Sequence, residues 1–360
     1  MKNHLCIRSP ASVIQCFAAI CFGSLLLAQA SLQAIERDWR VDALTVTNGG
    51  PVITIQIARA PNLSGRHPVI LVLGALSTNS LPDWSTNLVQ EGYLIAAFTV
   101  AHSADPDPKR QAQWLYFDER FAHSYVLGGL RMPGDVSRVI DYLITRSDVD
   151  PEKIGWMGSS TTGIFGLAAV THEPRLKAIV AFVATGAYEK WLSTWKPNGL
   201  WRSGTNGLWP ETLELLPKAD PIHSSSNLFP CAVLMVSGGA DKIVDPGSAR
   251  AFVDTARPFY RSDPNRLRLV VYEGMGNNLP LDVVQLYTEH WFHLYLNPTR
   301  PPPLAPEEAR SMEESTRRTT ITAETHDRII DAVSTRREPL PLRTNSPVGK
   351  TLKKIYSTPP

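Results

Sequence analysis

Residues 153–169 read KIGWMGSSTTGIFGLAA. A short apolar run, residues 154–157, stops at Gly158. Four small hydroxyl residues follow, and then apolar residues return at helical spacing: Ile164, Leu167, Ala168. The pattern predicts a buried strand, a sharp turn and a helix. The turn, Gly158-Ser159-Ser160-Thr161-Thr162-Gly163, is close to the Gly-x-Ser-x-Gly arrangement that lifts a serine hydroxyl off the end of a strand. Ser160 stands at its tip, and the helix N-terminus behind it would offer N–H groups and positive dipole. The composition also suits an ordinary polar strand-to-helix loop. One position departs from the pattern: Thr162 stands where the second glycine is expected, with Gly163 one place late. A β-branched residue there is expected to narrow the turn or shift the helix.

Similar buried runs lie on both sides. Residues 68–73 (PVILVL), 93–100, 176–183 (LKAIVAFV), 232–236 (AVLMV) and 267–272 (LRLVVY) are continuous and apolar, as in strands covered on both faces. Residues 83–91, 135–146, 248–256 and 283–296 predict the intervening helices. The second has a clear stripe of Val136, Val139, Ile140, Leu143 and Ile144. Upstream, two alternating runs flank Asn48-Gly49-Gly50 and predict a β-hairpin within residues 39–60. Residues 101–131 look irregular and polar. Strands alternating with helices predict an α/β fold: a largely parallel sheet with helices on both faces.

Between the 176–183 and 232–236 strands lies an excursion too long for a simple connection. This insertion, residues 185–229, carries Trp191, Trp195, Trp201 and Trp209. The indoles either line a substrate pocket, with Trp191, Trp195 and Trp201 as the binding candidates, or form the core of a small cap. Residues 298–360 are Pro-rich, then charged and poor in large apolar side chains, and are expected to form a flexible tail.

The first 30 residues have the layout of an export signal: Lys2 and Arg8, an apolar stretch over residues 13–27, and Ala28-Gln29-Ala30 at the cleavage position. The apolar stretch is short for a membrane span, so an exported chain without a stable span is expected. Three of the four cysteines lie in that segment; Cys231 then remains alone and reads as a buried small hydrophobe. A net charge of +2 gives no reason to expect a nucleic-acid partner. No cofactor is called for, and no histidine, cysteine and carboxylate group has metal-ligand spacing. The expected partner is a small molecule.

Nucleophilic serine chemistry needs a base, an acid that orients it, and N–H donors for the oxyanion. The acid candidate is Asp241, in the Gly-rich turn after the 232–236 strand, with Asp245 as second choice. The oxyanion candidates are the backbone N–H groups of Thr161 and Ala75. The base should follow the last strand, at LVVYEGMGNNLPLD, where there is no histidine; Asn277 and Asn278 occupy the loop.

Taken together, the chain resembles an α/β-hydrolase and is similar to the dienelactone hydrolase and acetyl xylan esterase-like branch. The resemblance rests on LVLGA, DVSRVIDYLITRSDVDPEKIGWMGSS, EPRLKAIVAFV, DPIH, GGADKIVDP and YEGMGNNLP, in that order. It covers most of residues 31–297. It implies Ser160 as nucleophile, Asp241 as acid, and Asn277 at the position where relatives carry histidine. An amide has no basic nitrogen near neutral pH. The resemblance thus implies an exported serine hydrolase acting on carboxylic esters but impaired in turnover, or an inactive relative that binds a small ester, lipid or sugar. His102, His223, His290 and His293 are the histidines that could substitute as base.

Overall fold

The computed structural model describes residues 40–46, 50–76, 81–102, 119–194 and 208–297. The proposed signal segment, the C-terminal tail, Trp195 and Trp201 lie outside the described residues. Eight strands form one sheet: β1 (Arg40–Val46), β2 (Val52–Arg59), β3 (His67–Leu73), β4 (Leu94–Ala101), β5 (Val149–Ser159), β6 (Leu176–Phe182), β7 (Ala232–Gly238) and β8 (Leu267–Tyr272). Their order is β1-β2-β4-β3-β5-β6-β7-β8. The hairpin strands β1 and β2 pair antiparallel, β2 joins β4 antiparallel, and every pairing beyond is parallel. This is the α/β-hydrolase fold.

Among the described residues seven α-helices accompany the strands: α1 (Asp83–Gln90), α2 (Glu119–Leu143), α3 (Thr161–Val170), α4 (Tyr188–Thr194), α5 (Pro210–Ala219), α6 (Pro246–Ala256) and α7 (Leu281–Leu296). Because side chains alternate along a strand, the sheet feeds two cores. Val69 and Leu71 of β3 join Val136, Ile140, Ile164, Leu167 and Phe252 of α2, α3 and α6 on one face. Ile70, between them, joins Leu88, Trp291 and Phe292 of α1 and α7 on the other. No helix among the described residues is long and apolar enough to cross a membrane.

One expectation is corrected. Helix α2 spans Glu119–Leu143, so residues 119–131 are helical where an irregular stretch was expected. Gly128, Gly129, Pro133 and Gly134 disguise it. Two of those glycines answer to close packing. A β-carbon on Gly128 would stand 2.4 Å from the Phe165 ring, and one on Gly129 would stand 2.8 Å from Tyr188. The helix gives up propensity, about 1 kcal/mol for each glycine, so that α3 and α4 can approach it.

The described part of the 185–229 stretch carries α4 and α5 and is built on a buried carboxylate. Asp220 accepts from the backbone N–H groups of Tyr188 and Glu189, both at 2.9 Å, and so caps the start of α4. Burial pushes its pKa up while those N–H groups oppose the shift. Asp220, the aspartate of the DPIH stretch, is a structural pin.

Candidate active site

Parallel strands deliver their C-terminal ends to one edge of the sheet, and the loops there carry the predicted site. Ser160 follows β5 directly and precedes α3. Its backbone lies at φ 52°, ψ −123°, a conformation that side-chain-bearing residues rarely adopt. Such strain costs on the order of 1–3 kcal/mol and persists only where the surroundings over-determine it. Here they do. The Ser160 N–H donates to Phe182 O at 2.9 Å, and Ser160 O accepts from Ile164 N at 2.9 Å. A β-carbon on Gly158 would come within 2.5 Å of the Thr162 carbonyl group, so position 158 must be bare.

The departure at Thr162 has a local explanation. Its hydroxyl accepts from Ser159 N at 2.8 Å and donates to Ser159 O at 2.9 Å, closing the turn on itself. Its carbonyl accepts the Trp156 indole N–H at 3.1 Å. The close approach that needs a glycine falls one residue later: a β-carbon on Gly163 would stand 2.8 Å from the Ala184 methyl. Thr162 therefore neither narrows the turn nor displaces the helix.

Asp241 is 6% exposed, in the turn after β7. One carboxylate oxygen accepts from Ile243 N at 2.8 Å and Val244 N at 3.0 Å. The other accepts from the Asn277 side-chain amide at 2.9 Å. Asn277 thus makes to Asp241 the bond that an orienting acid makes to an imidazole N–H. The two loops are drawn together by missing atoms. A β-carbon on Gly238 would lie 2.1 Å from Gly276 O, and Ala240 N donates to Met275 O at 2.8 Å. Asp245, the second-choice acid, is the N-cap of α6.

Ala75 and Thr161 sit at the ends of adjacent strands, β3 and β5. Thr161 opens α3, and Ala75 follows Gly74, which stands at φ 138°. The loop after β3 is tied down by a residue the sequence reading did not single out: the Gln56 side-chain carbonyl on β2 accepts from Leu76 N at 2.8 Å. The Ser160 hydroxyl makes no cap bond to its helix.

None of the four histidines weighed as substitutes takes the base position. His293 bonds Glu91, at the end of α1 just before β4, on the opposite edge of the sheet. His290 lies on the same helix, its pKa pulled down by burial and then by Arg268 at the start of β8. His223 is exposed on the short 3-10 segment after Asp220. His102 is on the correct edge, but its Nε2 is held by buried Asp135 at 2.7 Å. His123 is 7% exposed and bonds Thr212 at 2.8 Å.

Beside the elbow is a cavity of about 260 Å³, lined by Leu73, Val100, Phe121, Tyr125, Met132 and Phe165, with His102 and Arg131 among its remaining walls. The Tyr125 phenol contacts the Thr161 hydroxyl, which joins this cavity to the turn. Burial pushes the Tyr125 pKa up to about 12, so the phenol stays protonated near neutral pH and cannot take a proton from Ser160. Trp191, expected as a pocket wall, has a core position instead: it is 1% exposed, its N–H donates to Ile243 O at 2.7 Å, and its ring meets Tyr125 edge-on. The cap tryptophan supports the pocket from behind. Tyr125 and Phe165, which do line it, have no distinguishing sequence signal beyond being aromatic.

Comparison with known proteins agrees with this architecture. A family model described as the prolyl oligopeptidase family matches residues 125–278, which include Ser160, Asp241 and Asn277. The chain is 26% identical over 152 residues to a putative esterase of Bacillus subtilis, YitV, covering 41% of this chain and 59% of the relative. It is 29% identical over 99 residues to a putative hydrolase of the same organism, YtaP, covering 28% of this chain and 32% of the relative. Among solved structures, the acylaminoacyl peptidase of Pyrococcus horikoshii superposes with a TM-score of 0.55 at 14% identity, over 75% of this chain and 44% of that one. The chain therefore spans between about a third and three-fifths of the length of these curated relatives. The structural likeness shows the fold, and the family match falls on the segment from Tyr125 to the loop after β8.

Proposed function

We propose that the protein is a serine hydrolase-like protein acting on carboxylic esters, with Ser160 as nucleophile, the N–H groups of Thr161 and Ala75 as oxyanion donors, and turnover limited by Asn277. The observation that carries the reading is the strained backbone at Ser160. A turn with no chemical task has no use for a side chain at φ 52°, and glycine would adopt that conformation without the strain. Substrate would enter with its acyl carbon over the Ser160 hydroxyl and its acyl group in the adjoining cavity. The developing oxyanion would meet the N-terminus of α3. The choice of ester over peptide rests on the likeness of the motifs to the dienelactone hydrolase and acetyl xylan esterase branch, and on the putative esterase among the relatives.

The Asn277–Asp241 hydrogen bond favours a second reading, a binding protein that keeps the fold and pocket without turnover. Without a basic nitrogen, proton removal from Ser160 is unassisted. Loss of a triad base costs about 10⁶ in turnover, and the remaining groups give about 10³–10⁴ over water. A fluorophosphonate probe separates the two readings. Slow labelling that maps to Ser160 and disappears in Ser160→Ala supports the hydrolase; a chain that is never labelled supports the binder. Export belongs to the same proposal, on the strength of residues 1–30. Sequencing the N-terminus of the secreted or periplasmic chain tests it, with a start after Ala30 expected.

A further inference from the structure

The cavity beside Ser160 is lined mostly by apolar side chains, with Ser124, the Tyr125 phenol, His102 and Arg131 as its polar groups. His102 and Arg131 are in different states. His102 Nε2 is engaged by the buried Asp135 carboxylate at 2.7 Å. Arg131 lies one helical turn before Asp135 on α2, yet the carboxylate is turned to His102, and Arg131 makes no ion pair or hydrogen bond among the described residues. It is exposed at the cavity wall. By contrast, Arg146 is committed to Asp148, Arg175 to Glu173 and Asp141, Arg266 to Asp263, and Arg138 to Pro51 O. An uncommitted guanidinium on an apolar pocket is a planar, permanently charged donor suited to a carboxylate.

We propose that the cavity receives an acyl chain that ends in a carboxylate, with Arg131 as its charge partner and the Leu73, Val100, Phe121 and Phe165 side chains enclosing its methylenes. The class is the half-ester or half-amide of a short dicarboxylic acid. The volume of about 260 Å³ fits such an acyl group and falls below the roughly 300–1,000 Å³ of pockets that enclose a whole ligand. The leaving group would then lie outside the cavity. This inference rests on the proposed site, since the acyl carbon is taken to lie at Ser160.

The test is a binding measurement that needs no turnover. Full-length Ser160→Ala protein is titrated by calorimetry, at low and at high salt, with glutaric acid monoanilide and with its uncharged terminal amide. The acid is expected to bind about tenfold more tightly than the amide at low salt, a preference that shrinks as salt screens the pair. Arg131→Met, an exposed substitution whose folding is checked by thermal melting, should bring the two affinities to within about twofold while leaving the amide's affinity unchanged. Equal affinities in the parent protein, no binding of the acid, or a preference that survives Arg131→Met each overturn the proposal. Hydrolysis of neutral aryl esters without acid preference would sink this inference and leave the esterase reading standing. Acid-selective binding with no Ser160 labelling would do the reverse.

Discussion

Replacing Asn277 by histidine introduces a basic nitrogen beside a carboxylate already placed to accept its N–H. Asp241 is already buried and fixed by two backbone N–H groups, and its second oxygen already accepts a side-chain N–H from position 277 at 2.9 Å. An imidazole at that position could donate its Nδ1–H to the Asp241 oxygen that now accepts from the amide, leaving Nε2, on the far side of Cε1, to accept a proton. The full worth of a triad base is about 10⁶ in turnover. Discounting for a site not refined around the ring, a gain of about 10³–10⁴ in kcat/KM is expected, or roughly 4–5.5 kcal/mol of transition-state stabilisation. The assay is hydrolysis of 4-nitrophenyl butyrate, with Ser160→Ala/Asn277→His as control. Since the ring must be neutral to accept a proton, the rate should rise with pH through about 6.5. A folded Asn277→His protein that gains less than tenfold, or whose gain survives loss of Ser160, refutes the claim that residues 160, 241 and 277 share one site.

Ser160→Gly should raise the melting temperature while abolishing probe labelling. Relief of about 1–3 kcal/mol of strain outweighs the roughly 0.5–1 kcal/mol entropic cost of a glycine. Gly158→Ala should lower stability by about 1–3 kcal/mol and eliminate labelling as well, because the new methyl meets the Thr162 backbone and not a side chain that can turn aside; unchanged melting would show the turn to be looser than described. His290 supplies a pH dependence. Its folded pKa is depressed by burial, so between that value and about 6.5 the unfolded chain holds more protons, and the contribution to stability is full above about 6.5 and falls away as pH drops. His290→Leu, which also removes a buried ring nitrogen with no hydrogen-bond partner, should lose less melting temperature between pH 8 and pH 5.5 than the parent does; an equal loss would place the acid sensitivity elsewhere.

The parallel strands were legible because each holds a run of branched apolar residues bounded by turn formers, as burial on both faces demands. The elbow was legible because the need for small residues is local to it. The first half of helix α2 was not, because what selects Gly128 and Gly129 is Phe165 and Tyr188, side chains far along the chain. Trp191 was left between two readings for a related reason. An indole in a core and an indole in a pocket look alike in sequence, and only the partner of the Trp191 N–H, a backbone carbonyl at position 243, distinguishes them. Asn277 could be placed from its position after the last strand. Its bond to Asp241 could not, nor could the roles of Gln56, Tyr125 and Arg131, which depend on what the fold brings beside them.

The tightest approach at this edge of the sheet is the bare α-carbon of residue 238 against the carbonyl of residue 276. Spacing between the acid loop and the amide loop is therefore governed by an absent methyl. Any side chain at 238 would act as a wedge, prying the loop that bears residue 277 off its carboxylate without altering either reacting group. Efforts to evolve activity on this scaffold must leave that position bare.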